Sequence, residues 1–323
     1  MKAIHYDLPG PPEVLKIINK DIPLPKDNEL LIKVKSAGVN RPDLIQREGN
    51  YPPPKGHSDI LGLEVAGTVE KIGKKIKKFK INDKVSALVD GGGYAEYCIA
   101  NENQTFEIPK KLSFDEAAGI PECFFTAWSN LIDRGNLKKN NSVLVHGGTS
   151  GIGLASIQIL KLYNSKIFTT VGNSKKESFC KRLGVHQTIN YKKKDFFKEI
   201  KERGEKLDLI LDIIGGEYTM KNIDLLNSDG KLINIGFQNG SKVNLNLIKV
   251  MLKRLTITGS TLRVRDSNFK GKILKSLKKN IFPYFENRKI KCYIDSVYNF
   301  DNVVEAHKRL YEGNHIGKVI IRL

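Results

Sequence analysis

The stretch Ser142-Val143-Leu144-Val145-His146 runs directly into Gly147-Gly148-Thr149-Ser150-Gly151-Ile152-Gly153, and a helical composition then continues to Tyr163. A glycine-rich turn between a strand and a helix lets the backbone approach a pyrophosphate, and the helix N-terminus supplies unpaired N–H groups. Ser150 stands where the G-x-G-x-x-G pattern has its middle glycine, and a merely tight turn is the alternative interpretation. In this context we expect Gly148, Ser150, Gly151, Ile152 and Gly153 to cradle a phosphate.

Strands and helices alternate after this unit. Strands are predicted at Lys166–Val171, Gln187–Ile189, Leu207–Ile213, Gly230–Gly236 and Leu255–Ser260, with helical segments of 8–13 residues between them. Such spacing favours right-handed crossovers, and hence a doubly wound parallel sheet.

The residues before about 120 have a different pattern. Short β segments such as Leu30–Lys35 and Gly67–Ile72 are broken by glycines and by Pro52-Pro53-Pro54, which predicts a compact, mostly β domain with long loops. The tail after residue 262 follows a complete doubly wound set, so we expect it to return to the first domain. The predicted domains are 1–124, 125–262 and 263–323, an α/β architecture in which the nucleotide-binding domain is inserted.

The second strand of the inserted domain indicates which dinucleotide is preferred. NAD-preferring sites place an acidic residue about 20 residues after the glycine loop to hold the ribose 2′-OH. Here the sequence is Val171-Gly172-Asn173-Ser174-Lys175-Lys176, without an acid. Donors and positive charge suit a 2′-phosphate, so we expect NADPH. The alternative is that the two lysines are only the solvated first turn of a helix.

The chain of 323 residues is strongly basic, with 54 Lys and Arg against 35 Asp and Glu and a net charge of +19. Most of the excess is lysine, which favours a solvated lysine surface over a dedicated polyanion site, although the second reading stays open. Four dispersed cysteines form no C-x-x-C pair, no apolar run is long enough to span a membrane, and Met1–Tyr6 does not resemble a secretory signal. We expect a cytoplasmic protein without membrane association.

Three further segments carry a family resemblance. Val39–Leu44 (VNRPDL), Gly49–Pro54 (GNYPPP) and Leu61–Gly67 (LGLEVAG), with the glycine loop and Ile316–Val319, resemble the quinone oxidoreductase branch of the zinc-free medium-chain dehydrogenase/reductase superfamily. Within that branch the sequence is most similar to the tumour-suppressor-inducible quinone oxidoreductases and more distantly similar to zeta-crystallin. The resemblance implies a GroES-like β-rich catalytic domain with an inserted Rossmann domain.

The resemblance also implies chemistry without zinc. Zinc alcohol dehydrogenases of the superfamily carry Cys and His ligands in the segments that match Gly38–Asp43 and Gly62–Glu64. This chain has Arg41, Pro42 and Leu63 there, none of which is a zinc ligand. Glu64 alone makes no metal site, so we expect none.

Two residues match the family's active-site positions. The phenol of Tyr51 could donate a hydrogen bond to the acceptor oxygen as charge develops, or it could be only an aromatic wall. Asn40 could hold the nicotinamide ribose or the substrate, or it could simply stabilise a turn.

Further cofactor contacts follow from matching segments. Thr126 is expected beside the nicotinamide ring, and Lys318 near the cofactor phosphates, although a surface lysine is a nearly equal alternative. The resemblance implies four more contacts at the 2′-phosphate, namely Gly172, Ser174, Lys176 and Tyr191. It implies four others at the sheet edge, namely Ile214, Gly215, Phe237 and Gln238.

The predicted function is therefore NADPH-dependent reduction of a small-molecule quinone. Reduction of activated alkenes needs the same cofactor geometry and stays open, as does a cofactor-binding protein that binds RNA through its lysines. The apolar strand Leu255–Ser260 would leave an open sheet edge, so we expect a homodimer through the Rossmann sheets.

Overall fold

The computed structural model describes all 323 residues, and their contacts divide into two compact units. Unit 1 comprises Met1–Phe125 and Leu262–Leu323, and unit 2 comprises Thr126–Thr261. The boundaries predicted from the sequence lie within one residue of these. The chain therefore enters unit 1, passes through unit 2 and returns.

The part of the chain before unit 2 is rich in short strands. Its elements are β1 (Lys2–His5), β2 (Lys16–Asn19), β3 (Glu29–Val39), α1 (Arg41–Arg47), β4 (Glu64–Ile72), β5 (Lys84–Leu88), β6 (Tyr97–Asn101), β7 (Thr105–Glu107) and α2 (Phe114–Ala118), followed by α3 (Pro121–Trp128), which spans the boundary with unit 2. Single 3₁₀ turns occur at Pro12–Val14 and Glu102–Gln104.

Unit 2 alternates strands with helices as predicted. After a π-helical turn at Ser129–Arg134 come β8 (Ser142–His146), α4 (Gly151–Leu162), β9 (Lys166–Val171), α5 (Ser174–Arg182), β10 (Gln187–Asn190), α6 (Phe196–Lys201), β11 (Leu207–Asp212), α7 (Tyr218–Leu225), β12 (Leu226–Asn234), α8 (Leu247–Leu252) and β13 (Thr256–Gly259). The six strands form one parallel sheet in the order β10-β9-β8-β11-β12-β13. The predicted doubly wound sheet is confirmed, with β13 at its edge.

The returning segment completes unit 1. It contains α9 (Ser267–Asn280), α10 (Phe282–Glu286), β14 (Ile294–Asn299), a 3₁₀ turn at Phe300–Asn302, α11 (Val303–Tyr311) and β15 (Lys318–Arg322). Strand β15 pairs antiparallel with β3, in a seven-stranded sheet ordered β14-β15-β3-β4-β5-β7 with β6 also paired to β3. The C-terminal strand thus lies next to β3, whose end carries the first matched family segment.

Each unit has its own apolar core. Leu30, Ile32 and Val65 are buried in unit 1, and Phe168 and Ile210 in unit 2. The central strands β8, β9 and β11 are mostly buried and rich in apolar residues, as is typical of the inner strands of a parallel sheet. No helix has both the length and the apolar character needed to cross a bilayer.

The four cysteines are all buried and form no disulfide. Burial raises the pKa of Cys98, Cys123 and Cys180 to about 12 and holds that of Cys292 well above its ordinary range. All four are therefore protonated thiols at neutral pH.

His146, which precedes the glycine loop, is a fully bonded core histidine. Its Nε2 lies 2.9 Å from Asn222 Oδ1 and its Nδ1 lies 3.0 Å from Thr170 Oγ1. An amide oxygen only accepts, so Nε2 carries the proton and Nδ1 accepts from the threonine hydroxyl. Burial lowers the pKa of His146, which keeps the ring neutral.

Candidate active site

Three adjacent strands of unit 1 bring Asn40, Glu64 and Lys318 together. Asn40 follows β3, Glu64 begins β4 and Lys318 begins β15. The registers Val319–Val39 and Ala37–Val65 place these strand ends at one edge of the sheet. Residues separated by up to 278 positions thus share one buried polar cluster.

The Lys318 ammonium group is saturated inside this cluster. Its Nζ lies 2.6 Å from Glu64 Oε1, donates to Asn40 Oδ1 at 2.6 Å and to the Val39 carbonyl at 3.1 Å. Burial opposes the charge, but the carboxylate of Glu64 more than compensates, so the pKa of Lys318 is raised. Three acceptors use all three N–H bonds, so the expected place of Lys318 beside the cofactor phosphates does not fit this geometry.

Asn40 is bonded at both ends of its amide. Besides accepting from Lys318, it donates from Nδ2 to Glu64 Oε1 at 2.9 Å. Gly38 makes room for this contact, since a Cβ there would lie 2.1 Å from the same carboxylate oxygen. These contacts favour the alternative in which Asn40 stabilises the local structure and does not hold the ribose or the substrate.

Asp43 holds the loop after β3 against the segment before β4. Its carboxylate accepts from the backbone N–H groups of Asn40 (2.8 Å) and Gly62 (3.1 Å) and from the Tyr94 hydroxyl (3.0 Å). Burial raises the pKa of Asp43 to about 6 against the opposing effect of these donors. With its oxygens occupied, Asp43 is a positioning residue rather than a free acid.

Tyr51 lies under the guanidinium group of Arg263, whose Cζ is 5.5 Å from the ring centroid. Arg263 is itself fixed, because its Nε donates to the Asp90 carbonyl (2.9 Å) and its Nη1 to Gln46 Oε1 (2.8 Å). Burial raises the pKa of Tyr51, while Arg263 acts in the opposite direction. The phenol is protonated at neutral pH and can donate a hydrogen bond.

Sequence analysis missed Arg263 and Glu122. Glu122 is the second residue of α3, and its backbone N–H donates to Glu64 Oε2 at 2.8 Å. Burial, and then the negative charge of Glu64, raise the pKa of Glu122 to about 8. The only available signal was an acid inside the apolar stretch Ile120–Trp128.

The glycine loop of unit 2 has the shape that a phosphate cradle requires. Ser150 is the N-cap of α4, and its Oγ accepts from Gly153 N at 3.0 Å. A Cβ on Gly148 would lie 2.0 Å from Thr169 Oγ1, and one on Gly153 would lie 2.3 Å from the Gly147 carbonyl. The first-turn N–H groups of Gly151 and Ile152 have no partner within the helix. Gly148 and Gly153 therefore have no space for a side chain, and the N–H groups of Gly151 and Ile152 remain without a partner.

The next strand end gathers several of the residues predicted for the 2′-phosphate. Tyr191 follows β10, and a Cβ on Gly172 would lie 2.8 Å from its hydroxyl. Ser174 Oγ accepts from Lys193 Nζ at 3.1 Å, and sequence analysis did not single out this lysine. Lys176 lies in the first turn of α5 with its side chain largely buried.

The predicted sheet-edge residues lie together at the carboxyl ends of β11 and β12. Asp212 Oδ1 accepts from Ile214 N at 2.7 Å and from Gly215 N at 3.2 Å. Gly215 has φ +69°, and a Cβ on it would lie 2.6 Å from Phe237. Gln238 N donates to the Ile213 carbonyl at 3.1 Å.

Thr126, the remaining predicted contact, has a buried hydroxyl oxygen without a hydrogen-bond partner. An orphaned buried hydroxyl is costly unless a ligand completes it. Together with the glycine cradle and the open first turn of α4, it fits a dinucleotide. No group of three or more His, Cys, Asp or Glu side chains could hold a metal ion.

Comparison with known proteins shows which family has this two-domain architecture. Residues 26–110 match the alcohol dehydrogenase GroES-like domain, and residues 151–279 match the family described as zinc-binding dehydrogenase. The chain is 32% identical over 328 residues to quinone oxidoreductase of Homo sapiens, covering 100% of this chain and 98% of that protein. It is also 32% identical over 321 residues to the synaptic vesicle membrane protein VAT-1 homolog of Danio rerio, covering 94% of this chain but 66% of that relative.

Among solved structures, the crystal structure of Escherichia coli quinone oxidoreductase complexed with NADPH has a TM-score of 0.89 and 26% identity, with 100% of both chains covered. The GroES-like and Rossmann domains predicted from the sequence are therefore confirmed. The chain belongs to the quinone oxidoreductase branch of the medium-chain dehydrogenase/reductase superfamily.

Proposed function

We propose that this oxidoreductase is a zinc-independent, NADPH-dependent quinone reductase. The observation that carries the proposal is the set of hydrogen-bond donors in unit 2 where the 2′-phosphate of the ribose is expected. There Lys193 and Ser174 are joined by a 3.1 Å hydrogen bond, next to the Gly172–Tyr191 contact. Hydroxyl and ammonium donors without a carboxylate suit a 2′-phosphate dianion, whereas the NAD pattern uses an acid.

The residues of unit 2 bind and orient the coenzyme, which when bound supplies a hydride. The backbone N–H groups of Gly151 and Ile152 and the dipole of α4 favour the pyrophosphate. Thr126 offers an unpaired hydroxyl, and Ile214, Gly215, Phe237 and Gln238 line the carboxyl edge of the sheet. Orientation of donor and acceptor alone contributes several kcal/mol to hydride transfer.

The candidate hydrogen-bond donor for the acceptor is a residue of unit 1. Tyr51 keeps its phenolic proton and can stabilise charge on an acceptor oxygen. Zinc independence is supported by the hydrogen bonds of Glu64, because its carboxylate oxygens already accept from Lys318, Asn40 and the Glu122 N–H. An electron-poor acceptor such as a quinone suits a site whose polarising groups are hydrogen-bond donors.

NADPH oxidation by the purified protein tests this function. At equal concentrations of NADPH and NADH, we expect the NADPH rate to dominate with ortho- and para-quinones as acceptors. A matched series of 2-enones separates quinone reduction from reduction of activated alkenes. A preference for NADH, or no turnover with either acceptor class, would contradict the proposal.

We also propose that the protein is a cytoplasmic homodimer. Strand β13 leaves an open sheet edge, and α8 next to it exposes Leu247, Ile248, Met251 and Leu252, each at 61–67%. A second copy can satisfy both features, because antiparallel pairing of two β13 strands across a twofold axis is self-complementary. Sedimentation at twice 36.3 kDa is expected, and a single 36.3 kDa species would contradict it.

A further inference from the structure

We propose that the carboxyl group of Glu122 is the proton donor that completes reduction of the acceptor. This inference rests on the proposed function. It assigns a role to a side chain that the sequence motifs do not include.

The start of α3 is fixed to the buried cluster. The Glu122 N–H donates to Glu64 Oε2 at 2.8 Å, and Glu64 is held in turn by the Lys318 ammonium at 2.6 Å. The backbone of Glu122 is therefore positioned by a bonded network rather than by a mobile loop. Its side chain takes no part in that network, since no hydrogen bond joins its carboxyl oxygens to another residue.

The surrounding charges leave Glu122 without a counter-ion. Glu64 and Asp43 face it with negative charge, while Lys318 and Lys270 face it with positive charge. Lys318 is already paired with Glu64, and Lys270 with Asp90. Cys123, its neighbour in α3, is a neutral thiol. Burial, together with the nearby carboxylates of Glu64 and Asp43 and the lack of a cation of its own, favours the protonated acid, consistent with a pKa of about 8.

Glu122 can also exchange its proton. Its side chain is partly buried rather than sealed, in contrast to Glu64, which is 0% exposed. It lies close enough to Tyr51 to raise the pKa of that phenol. A protonated acid thus lies in the neighbourhood of the side chain that we assign to the acceptor oxygen.

The acceptor gains two electrons and one hydrogen as the hydride, and this leaves a negative charge on its oxygen or on the α carbon of an enone. Glu122 breaks its O–H bond and transfers the proton to that atom, and the reduced acceptor leaves neutral. The resulting carboxylate takes a proton from water before the next turnover. A general acid of this kind typically contributes 10²–10⁴-fold.

The test compares Glu122→Gln with Glu70→Gln, a matched change at an exposed position on β4. NADPH oxidation with 1,2-naphthoquinone and with a 2-enone is followed from pH 5.5 to 9.5. The unmodified protein should lose rate above about pH 8 with the enone. Glu122→Gln should lower kcat for the enone about 100-fold at pH 7 and remove that inflection, whereas Glu70→Gln should change neither. Glu122→Asp should retain part of the rate and a pH inflection.

NADPH affinity by calorimetry separates the two proposals. If NADPH binds and is oxidised by the unmodified protein but Glu122→Gln keeps the full rate and the inflection, the Glu122 assignment fails and the proposed function survives. If the unmodified protein neither binds nor oxidises NADPH, the proposed function fails. Should Glu122→Gln not fold, the enone profile of the unmodified protein still decides, because a rate that stays level from pH 7 to 9.5 overturns the assignment.

Discussion

The two units reach their polar geometry in opposite ways. In unit 1, the groups of Lys318, Asn40 and Asp43 are bonded to each other, and a charge is buried with its partner. In unit 2, the loop from Gly147 to Gly153 leaves backbone N–H groups without a partner, and its glycines leave space that side chains would otherwise fill. A saturated cluster holds structure, whereas an unsaturated one awaits a ligand. Variants that disturb one arrangement and not the other can test this comparison.

The largest effect is expected from Lys318→Met, which leaves the fully buried Glu64 carboxylate without its cation. Removing one partner of a buried pair costs about 3–5 kcal/mol of unfolding free energy. Chemical denaturation measures it. Lys308→Met is the control, because Lys308 pairs with Glu13 at 2.9 Å on the surface, where a pair is worth about 0.2–1 kcal/mol. Equal losses in the two variants would show that the cluster does not hold unit 1 together.

An intermediate effect of opposite sign is expected from Glu122→Gln. The folded-state pKa of Glu122, about 8, lies above the ordinary value of 4.5, so its contribution to stability is complete below pH 4.5 and is lost as the pH rises to about 8. The neutral variant should therefore be more stable than the unmodified protein by up to about 4 kcal/mol at pH 8 and about equal to it at pH 4.

Unfolding curves at several pH values check this, with Glu70→Gln as the matched control. A stability difference that does not grow between pH 4.5 and pH 8 would mean that Glu122 is ionised in the folded protein.

The smallest effect is expected from Lys193→Ala in unit 2. Loss of one ammonium beside Ser174 should weaken NADPH binding about 3- to 10-fold and leave NADH binding unchanged, because only NADPH carries the 2′-phosphate. Calorimetric titration with each coenzyme measures it. Lys194→Ala is the control, since Lys194 instead pairs with Glu199 at 2.9 Å. An equal loss for both coenzymes would place Lys193 away from the ribose end.

The sequence predicts features that depend on neighbours in the chain. The strand Lys166–Val171 has the bounds expected from the residue pattern, and the parallel order follows from the strand–helix alternation. The glycine loop is recognisable because its glycines are required locally by the turn. These features need no knowledge of distant contacts.

What the sequence did not provide depends on long-range contacts. Lys318 reaches Asn40 only because β15 pairs with β3, and no local pattern predicts that pairing. The roles of Arg263 and Glu122 depend on their contacts with Tyr51 and Glu64, which lie 212 and 58 positions away in the sequence. Lys193 lies beside Ser174 only because β10 and β9 are adjacent in the sheet.

The buried thiols have a chemical consequence for the proposed acceptors. Quinones are electrophiles that add to sulfur, and the reactive form of cysteine is the thiolate. Cys98, Cys123 and Cys180, with pKa values of about 12, and Cys292, whose pKa is raised well above its ordinary value, present almost no thiolate at neutral pH. If quinones are the acceptors, as proposed, the protein presents almost no sulfur nucleophile for them to arylate and should tolerate them without inactivation.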